Sequence, residues 1–402
     1  MLRLGIKEFF RRIYTNIFTA LQLAVVFLIL LAIVSSVQSR TELYLPVRDY
    51  LEGDGVYSMS LSINNNIVNE DDMKKEYPEV ESVLCAYTPN ASFTYGYDDG
   101  KVISYNDEII NMYAPKLESG RWFKNSDLSD DTLYGVANYG SGMEVNDTVD
   151  IYSVEYDQEK DPTFTHPIER TFSVKIIGVL DQKAQVYGAD TYLTENDDYR
   201  NLYVDYDESL PLLLLSQKQL SRNGVEYTIN GNKQIIKYES GLSDEQIKNA
   251  NSRFNSIGYI PLNKFSSASK LYVYEQIIKL LPLLICIALL VIVSTVSISA
   301  LNVKGGLRTY SIFYVCGSNR VQCLGVCLVN SILTAAMAVI ISIIAMNVGS
   351  ISGLLGGTVI KTSATGIIAC AIAFIIQIAC SMIMPITLMS KGTLKDNLST
   401  NE

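Results

Sequence analysis

His166 is the only histidine in this sequence, and it stands before Pro167 in a polar stretch. A single imidazole excludes multi-histidine metal sites and the H-E-x-x-H pattern, and leaves His166 as the sole partner for a Cys–His or Ser–His pair. Cys85 is the one cysteine between residues 40 and 270. It offers the Cys85–His166 pairing, although an inert buried thiol is the simpler expectation, and no intrachain disulfide can form there. Gly140-Ser141-Gly142 does not complete a G-x-S-x-G elbow. No G-x-x-x-x-G-K-[ST] loop is present to cradle ATP phosphates. Asp197, Asp198, Asp205, Asp207 and Glu208 gather carboxylates, but without the glycine and terminal Glu of an EF-hand loop, so a solvated acidic loop is expected. Cys323 and Cys327 are four apart with no His or carboxylate nearby, which suits small apolar packing. Asn90, Asn146 and Asn397 head N-x-S/T triplets. The reading is of a chain with no catalytic, cofactor or metal site of its own.

What the sequence does supply is membrane-length apolar runs. Residues 17–37, 321–348 and 366–389 carry no charge, and 277–301 is interrupted only by Lys279. Each reaches the roughly 20 apolar residues that cross a hydrocarbon core about 30 Å thick. The first run, at 21 residues, exceeds the roughly 7–15-residue apolar region of a signal peptide. The expected class is an α-helical membrane protein with four transmembrane helices, one before and three after a large α+β extracytoplasmic domain.

Charge orients those spans. Residues 40–270 hold 21 Lys and Arg against 38 Asp and Glu, a net of −17. The rest of the chain is basic: Arg3, Lys7, Arg11 and Arg12 precede the first span, Lys304, Arg308 and Arg320 follow the second, and Lys391 and Lys395 follow the fourth. Lys and Arg accumulate in short cytoplasmic loops. Both termini and the 302–320 loop are therefore expected in the cytoplasm of a multi-pass cell-membrane protein. Residues 40–270 and the 349–365 connection are expected outside. The segment 1–16, with Leu2, Ile6, Phe9 and Phe10 among its basic residues, reads as an interfacial amphipathic helix. Gln22, Asn330 and Gln377 are uncharged polar residues within spans and are expected to face other helices. No ionisable side chain lies mid-span, which argues against ion-coupled transport.

Within 40–270, strand and helix signals mirror each other from the two ends. A strand at 57–63 precedes an Asn69-capped helix that ends before Pro78, and a second strand starts near Val83. At the far end a strand at 234–238 precedes a helix boxed by Ser243 and Gln246, with Ile247, Ala250 and Phe254 on one face and Gly258 as its stop. Asp98-Asp99-Gly100 between apolar-alternating runs predicts a hairpin. A porter-like α+β subdomain is thus expected over about 45–118 and 216–268, with an inserted β-rich subdomain at about 120–215 carrying strands near 148–154, 172–179 and 212–215.

Several segments resemble the MacB/FtsX-type permeases, the membrane subunits of mechanotransmitting (type VII) ABC systems. Leu117-Glu118-Ser119-Gly120-Arg121-Trp122-Phe123 is similar to a "leuGR-x-F" segment of that family. Residues 142–149, followed by Phe172-Ser173-Val174-Lys175-Ile176-Ile177-Gly178-Val179, resemble its "vGD-x-v … f-x-V-x-GV" strands. Pro78-Glu79-Val80-Glu81-Ser82-Val83 resembles an "iPgVesV" turn. Residues 308–318 are similar to the "R-x-x-EiGilralGas" coupling segment, with Tyr310 or Ser311 standing where a Glu is usual. Pro385 with 391–398 resembles the closing tail.

The resemblance implies the permease subunit of an ABC transporter, working as a homodimer or as a heterodimer with a related permease. A separate ATP-binding subunit would supply ATP and Mg chemistry, and this chain would bind neither. Arg308, Tyr310, Ile312, Phe313, Val315, Gly317 and Ser318 would form the ATPase-coupling interface, with apolar side chains suited to a partner's groove. Motion of the outer domain would serve peptide or drug export or resistance. The alternatives are an FtsX-like regulator of cell-wall hydrolases and an ATPase-independent membrane receptor or adhesin. Besides the lipid bilayer, the acidity of 40–270 favours a cationic peptide as ligand. Nothing points to nucleic acid.

Overall fold

Two helices open the chain, α1 (Leu2–Arg11) and α2 (Ile13–Glu52), with only Arg12 between them. The structure is a computed structural model that describes residues 2–61, 75, 77–155, 168–182, 184–188, 193, 197–204, 210–225, 227–228, 233–253, 256–347 and 364–391. His166, the helix expected after Asn69, Asp205, Asp207, Glu208, Phe254, Asn397 and most of the 349–365 connection lie outside the described residues. The chain divides into two units, one of residues up to Thr41 with those from Val273 onward, the other Glu42–Tyr272.

The second unit is built on strands. β1 (Val56–Leu61), β2 (Val80–Pro89), β3 (Ala91–Tyr95), β4 (Asp98–Tyr105) and β5 (Leu117–Gly120) come first. β6 (Leu133–Ala137), β7 (Thr148–Glu155), β8 (Ile168–Leu180) and β9 (Val186–Tyr187) form the middle. β10 (Tyr203–Val204), β11 (Leu212–Ser216), β12 (Tyr227–Thr228), β13 (Lys233–Tyr238) and β14 (Ser256–Pro261) complete it. Three short helices intervene: α3 (Asp107–Met112), α4 (Gln217–Arg222) and α5 (Asp244–Arg253).

The two ends of this unit pair in one antiparallel sheet, in the order β2–β13–β1–β14. Numbered one to four along the chain, these strands lie 4-1-3-2 when read from β14, the arrangement of a split β-α-β, ferredoxin-like sheet. Met59, Val83, Cys85, Ile236 and Tyr238 face Ile247 and Ala250 of α5 in its core. Ser243 and Gln246 form the reciprocal box at the start of α5, Ser243 N–H to Gln246 Oε1 at 2.9 Å and Gln246 N–H to Ser243 Oγ at 3.3 Å. Gly258 does not stop that helix. It lies inside β14, because α5 already ends at Arg253.

The middle strands close on themselves. β3 pairs β4, β4 pairs β11, β11 pairs β6, β6 pairs β8, β8 pairs β7, and β7 returns to β3. Val149 and Ile151, Val174 and Ile176, and Leu213 and Leu215 alternate into the interior of this ring with Phe93 and Val102. That period of two is what the pleat requires of a small barrel. The inserted subdomain therefore begins at about Ala91, not 120, because β3 and β4 supply two of its walls. The predicted hairpin is present, but its turn is Gly96-Tyr97, and Asp98-Asp99-Gly100 is strand, with Gly100 opposite Phe93.

Two of the segments that carry the family resemblance meet along one seam. β5 pairs β8 at Gly120 and Gly178. A Cβ on Gly120 would stand 2.3 Å from the Ile177 carbonyl oxygen, and one on Gly178 would stand 2.6 Å from that of Arg121. Gly120 also has φ +77°, a conformation that side chains disfavour. Beyond the seam, Trp122 donates to the Ile110 carbonyl of α3 at 3.0 Å. Arg121 grips Asp127 through both guanidinium nitrogens, Nη2 to Oδ1 at 2.9 Å. Asp127 also accepts from the Lys124 N–H at 2.8 Å.

Burial raises the pKa of Asp127, but Arg121 and the Lys124 N–H outweigh it and hold the carboxyl below its ordinary value. A depressed carboxylate stabilises the fold above the unfolded pKa near 3.9 and loses that contribution as pH falls toward the folded value. Asp127→Asn is expected to cost about 1–3 kcal/mol at neutral pH. The difference from the parent should shrink below roughly pH 4. Thermal unfolding at pH 7 and pH 3.5 checks this, and equal losses at both would reject the ion pair as the cause.

Within the segment expected as a solvated acidic loop, Tyr199, Leu202 and Tyr203 form an aromatic clasp. Tyr199, Leu202 and Tyr203 are buried. The Tyr199 ring sits against Tyr44 of α2 and against Tyr272. Its N–H donates to Ser269 Oγ at 3.0 Å, and the Tyr203 hydroxyl donates to the Leu43 carbonyl at 2.8 Å. Arg200 lies 3.7 Å from the Tyr272 ring centroid, an arrangement that attracts a cation to the ring face. Asp198, expected to be solvated, is instead largely covered and accepts from the Arg200 N–H at 2.9 Å. Both segments held by the clasp are helix ends, since the last helices are α6 (Asn263–Val315), α7 (Arg320–Asn347) and α8 (Ala364–Lys391).

α2, α6, α7 and α8 are each long and apolar enough to cross a membrane by length and composition. In the first unit Leu23, Phe27 and Leu31 of α2 pack with Val291, Ala338 and Cys370. The polar residues within the spans bond across helices. Asn330 and Asn16 share a 3.0 Å amide contact, Ser294 donates to Gln22 at 3.1 Å, and Ser342 donates to the Ala24 carbonyl at 2.8 Å. Gln377 is buried. Arg40, also buried, reaches Glu275 at 3.3 Å.

Candidate functional site

The segment 302–320 is helix rather than loop for most of its length. α6 runs unbroken through the second apolar stretch to Val315, because nothing from 302 to 315 breaks a helix except the adjacent Gly305 and Gly306. It stops at Gly317, whose φ of +93° is the left-handed conformation that ends helices. The Ser318 N–H closes back on the Phe313 carbonyl at 2.9 Å. Asn319, not Ser318, caps α7: its Oδ1 accepts from the Gln322 N–H at 2.9 Å while its own N–H donates to Gln322 Oε1 at 3.0 Å. This Asn-x-x-Gln reciprocity is that of a capping box.

The expected coupling residues fall on two sides of this tip. Ile312 and Val315 are exposed, at 50% and 73%, and Gly317 lies open at the turn. Tyr310 is buried at 6% and packs with Val303, Phe313, Cys323 and Val326. Its hydroxyl lies 3.4 Å from Cys327 Sγ, and its burial raises the phenol pKa well above the ordinary value. Tyr310 thus fixes α6 against α7 and presents no face outward. Ser311 is fully buried as well. Both positions that could stand for the family's Glu therefore point inward, whereas Phe313 and Ser318 are half-exposed. The side chain of Arg308 lies outside what the structure describes.

α1 lies along α7 beside this tip. Gly5 allows it, since a Cβ there would meet Val329 at 2.6 Å. Asn16 Nδ2 donates to the Phe9 carbonyl at 3.0 Å and so holds the corner between α1 and α2. Glu8 pairs with Arg11 at 2.7 Å and with Arg12 at 3.0 Å. Phe9 is buried and Ile6 half-buried, while Leu2 and Phe10 of the same apolar set are exposed.

In the second unit, Cys85 has no solvent exposure, and burial pushes its thiol up to about 12. A neutral, enclosed thiol is not a nucleophile at neutral pH.

No family model matches this sequence, and no curated protein matches it. Two solved structures are similar to it. The periplasmic region of MacB from Actinobacillus actinomycetemcomitans is 12% identical, with a TM-score of 0.30, covering 56% of this chain and 95% of that one. The extracellular domain of the noncanonic ABC-type transporter YknZ from Gram-positive bacteria is 13% identical, with a TM-score of 0.27, covering 50% of this chain and 92% of that one. At these scores the functional reading rests on the residues and geometry of this chain.

Proposed function

We propose that this chain is the permease subunit of an ABC transporter, driven by a separate ATP-binding subunit that docks at the tip between α6 and α7. One observation carries the reading. A helix unbroken from Asn263 to Val315 ends in a tightly closed turn, followed by Arg320, and exposes Ile312 and Val315 near that end. Apolar side chains at a helix end beside Arg320 suit insertion into a partner's groove. The charge asymmetry of the sequence supports a cytoplasmic tip and cytoplasmic termini, with residues 40–270 outside. The working unit is a homodimer or a heterodimer with a related permease, and the separate ATP-binding subunit brings the ATP and Mg chemistry. Nucleotide-driven movement at the tip would be passed along α6 to the outer residues, where peptide or drug export or resistance is carried out.

Replacing Ile312 and Val315 together with Asp places two charges where the partner would bury apolar surface, at several kcal/mol of interaction energy. The cognate ATP-binding subunit is expected to co-purify with the parent and to lose stimulated ATP hydrolysis with the double variant, which should still insert in the membrane. Undiminished co-purification and stimulation in the variant would overturn the assignment.

A further inference from the structure

We infer that the cleft between α1 and the end of α6 binds the phosphodiester headgroup of an anionic phospholipid. The cleft has a volume of about 340 Å³, the size of a small-ligand site. It is lined by the polar Lys7, Arg11 and Thr309 together with the apolar Leu4, Phe313 and Val326. Glu8 also lines it, but that carboxylate is held by Arg11 at 2.7 Å and Arg12 at 3.0 Å. Two cations, Lys7 and Arg11, line the cleft against one carboxylate, so the surplus is positive. A phosphodiester meets that surplus and the Thr309 hydroxyl, and the glycerol beyond it meets Leu4 and Phe313. The acyl chains are too large for the cleft and would leave it along the exposed Leu2 and Phe10 of α1. A helix with basic and apolar faces lies at headgroup depth in a bilayer, which is where this ligand is. Ile312 and Val315 do not line the cleft, so lipid and ATPase would occupy different faces of the tip. The inference requires the four long helices to span a bilayer, but not that an ATPase binds.

The test uses the full-length chain in a non-ionic detergent, titrated calorimetrically with dihexanoylphosphatidylglycerol, dihexanoylphosphatidylcholine and inorganic phosphate. Saturable binding of the phosphatidylglycerol is expected, with the phosphatidylcholine and free phosphate each at least about tenfold weaker. The double variant Lys7→Gln, Arg11→Gln should weaken the phosphatidylglycerol about 10- to 30-fold, as expected for two cations near an anionic surface. Thr309→Phe, which fills the cleft without removing charge, should weaken it by a similar factor. Circular dichroism and monodisperse elution qualify both variants. Equal affinity for the two lipids, equal affinity for free phosphate, or parental affinity in either folded variant would overturn the proposal. An ATPase that still co-purifies with the Lys7→Gln, Arg11→Gln chain would separate loss of lipid from loss of the permease reading.

Discussion

Gly120→Ala is expected to destabilise the protein by about 2–5 kcal/mol, the largest effect of any single methyl addition considered for the outer strands. The added Cβ would lie 2.3 Å from the Ile177 carbonyl oxygen, 2.7 Å from Gly178 Cα and 2.8 Å from Val145 Cγ2. Two of those three are backbone and cannot rotate away. The residue is also held at φ +77°, where an L side chain adds roughly 1–2 kcal/mol of strain. The midpoint of the outer-domain thermal transition should fall by roughly 5–15 °C, read on the full chain by scanning calorimetry. A change within a degree of the parent would mean that β5 is free to lift away from β8.

Tyr199→Ala should cost about 3–5 kcal/mol, as other large-to-small aromatic truncations in cores do. Tyr199 is 1% exposed and touches both Tyr44 and Tyr272, so its loss empties a space shared by two helix ends. Tyr97→Ala is the matched control, because that ring lies wholly in solvent, and exposed substitutions change stability by less than about 0.5 kcal/mol. Near-equal melting of the two variants would show that the aromatic clasp holds nothing. Faster cleavage by a protease between residues 42 and 52 in Tyr199→Ala is the accompanying expectation, since the clasp includes the Tyr203 bond to Leu43.

Much of this was legible in the sequence, and the reasons for the remainder are physical. The apolar runs, the 148–154 and 172–179 strands and the Ser243–Gln246 box are local signals, and each appears close to where its pattern places it. The closed ring of strands was not legible because it depends on pairings such as β4 with β11, more than a hundred residues apart. Leu133-Tyr134-Gly135-Val136-Ala137 gives a weak strand signal, since Gly and Ala are poor strand formers. Tyr199 and Tyr203 sit among Asp and Asn, so composition reads solvent where the fold places a core. At the proposed coupling site, Ile312 and Val315 emerged as an exposed apolar pair, but Tyr310 turned inward. Spacing along a helix gives relative faces, and only the position of α7 decides which face is covered.

Four residues, 316–319, join α6 to α7, and they carry a hydrogen-bonding device at each end. In mechanical terms this joint has almost no slack. A long linker would stretch before it pulled on either helix, and part of any stroke would be lost in straightening it. Here a load applied at Val315 reaches both helices at once, so the tip behaves as a tooth cut into the pair and not as a tether tied to it. Lengthening that joint with two or three glycines would leave every apolar contact in place. On the proposed function it should nevertheless decouple the partner's ATP turnover from movement, which would separate stiffness from affinity as the quantity on which transmission depends.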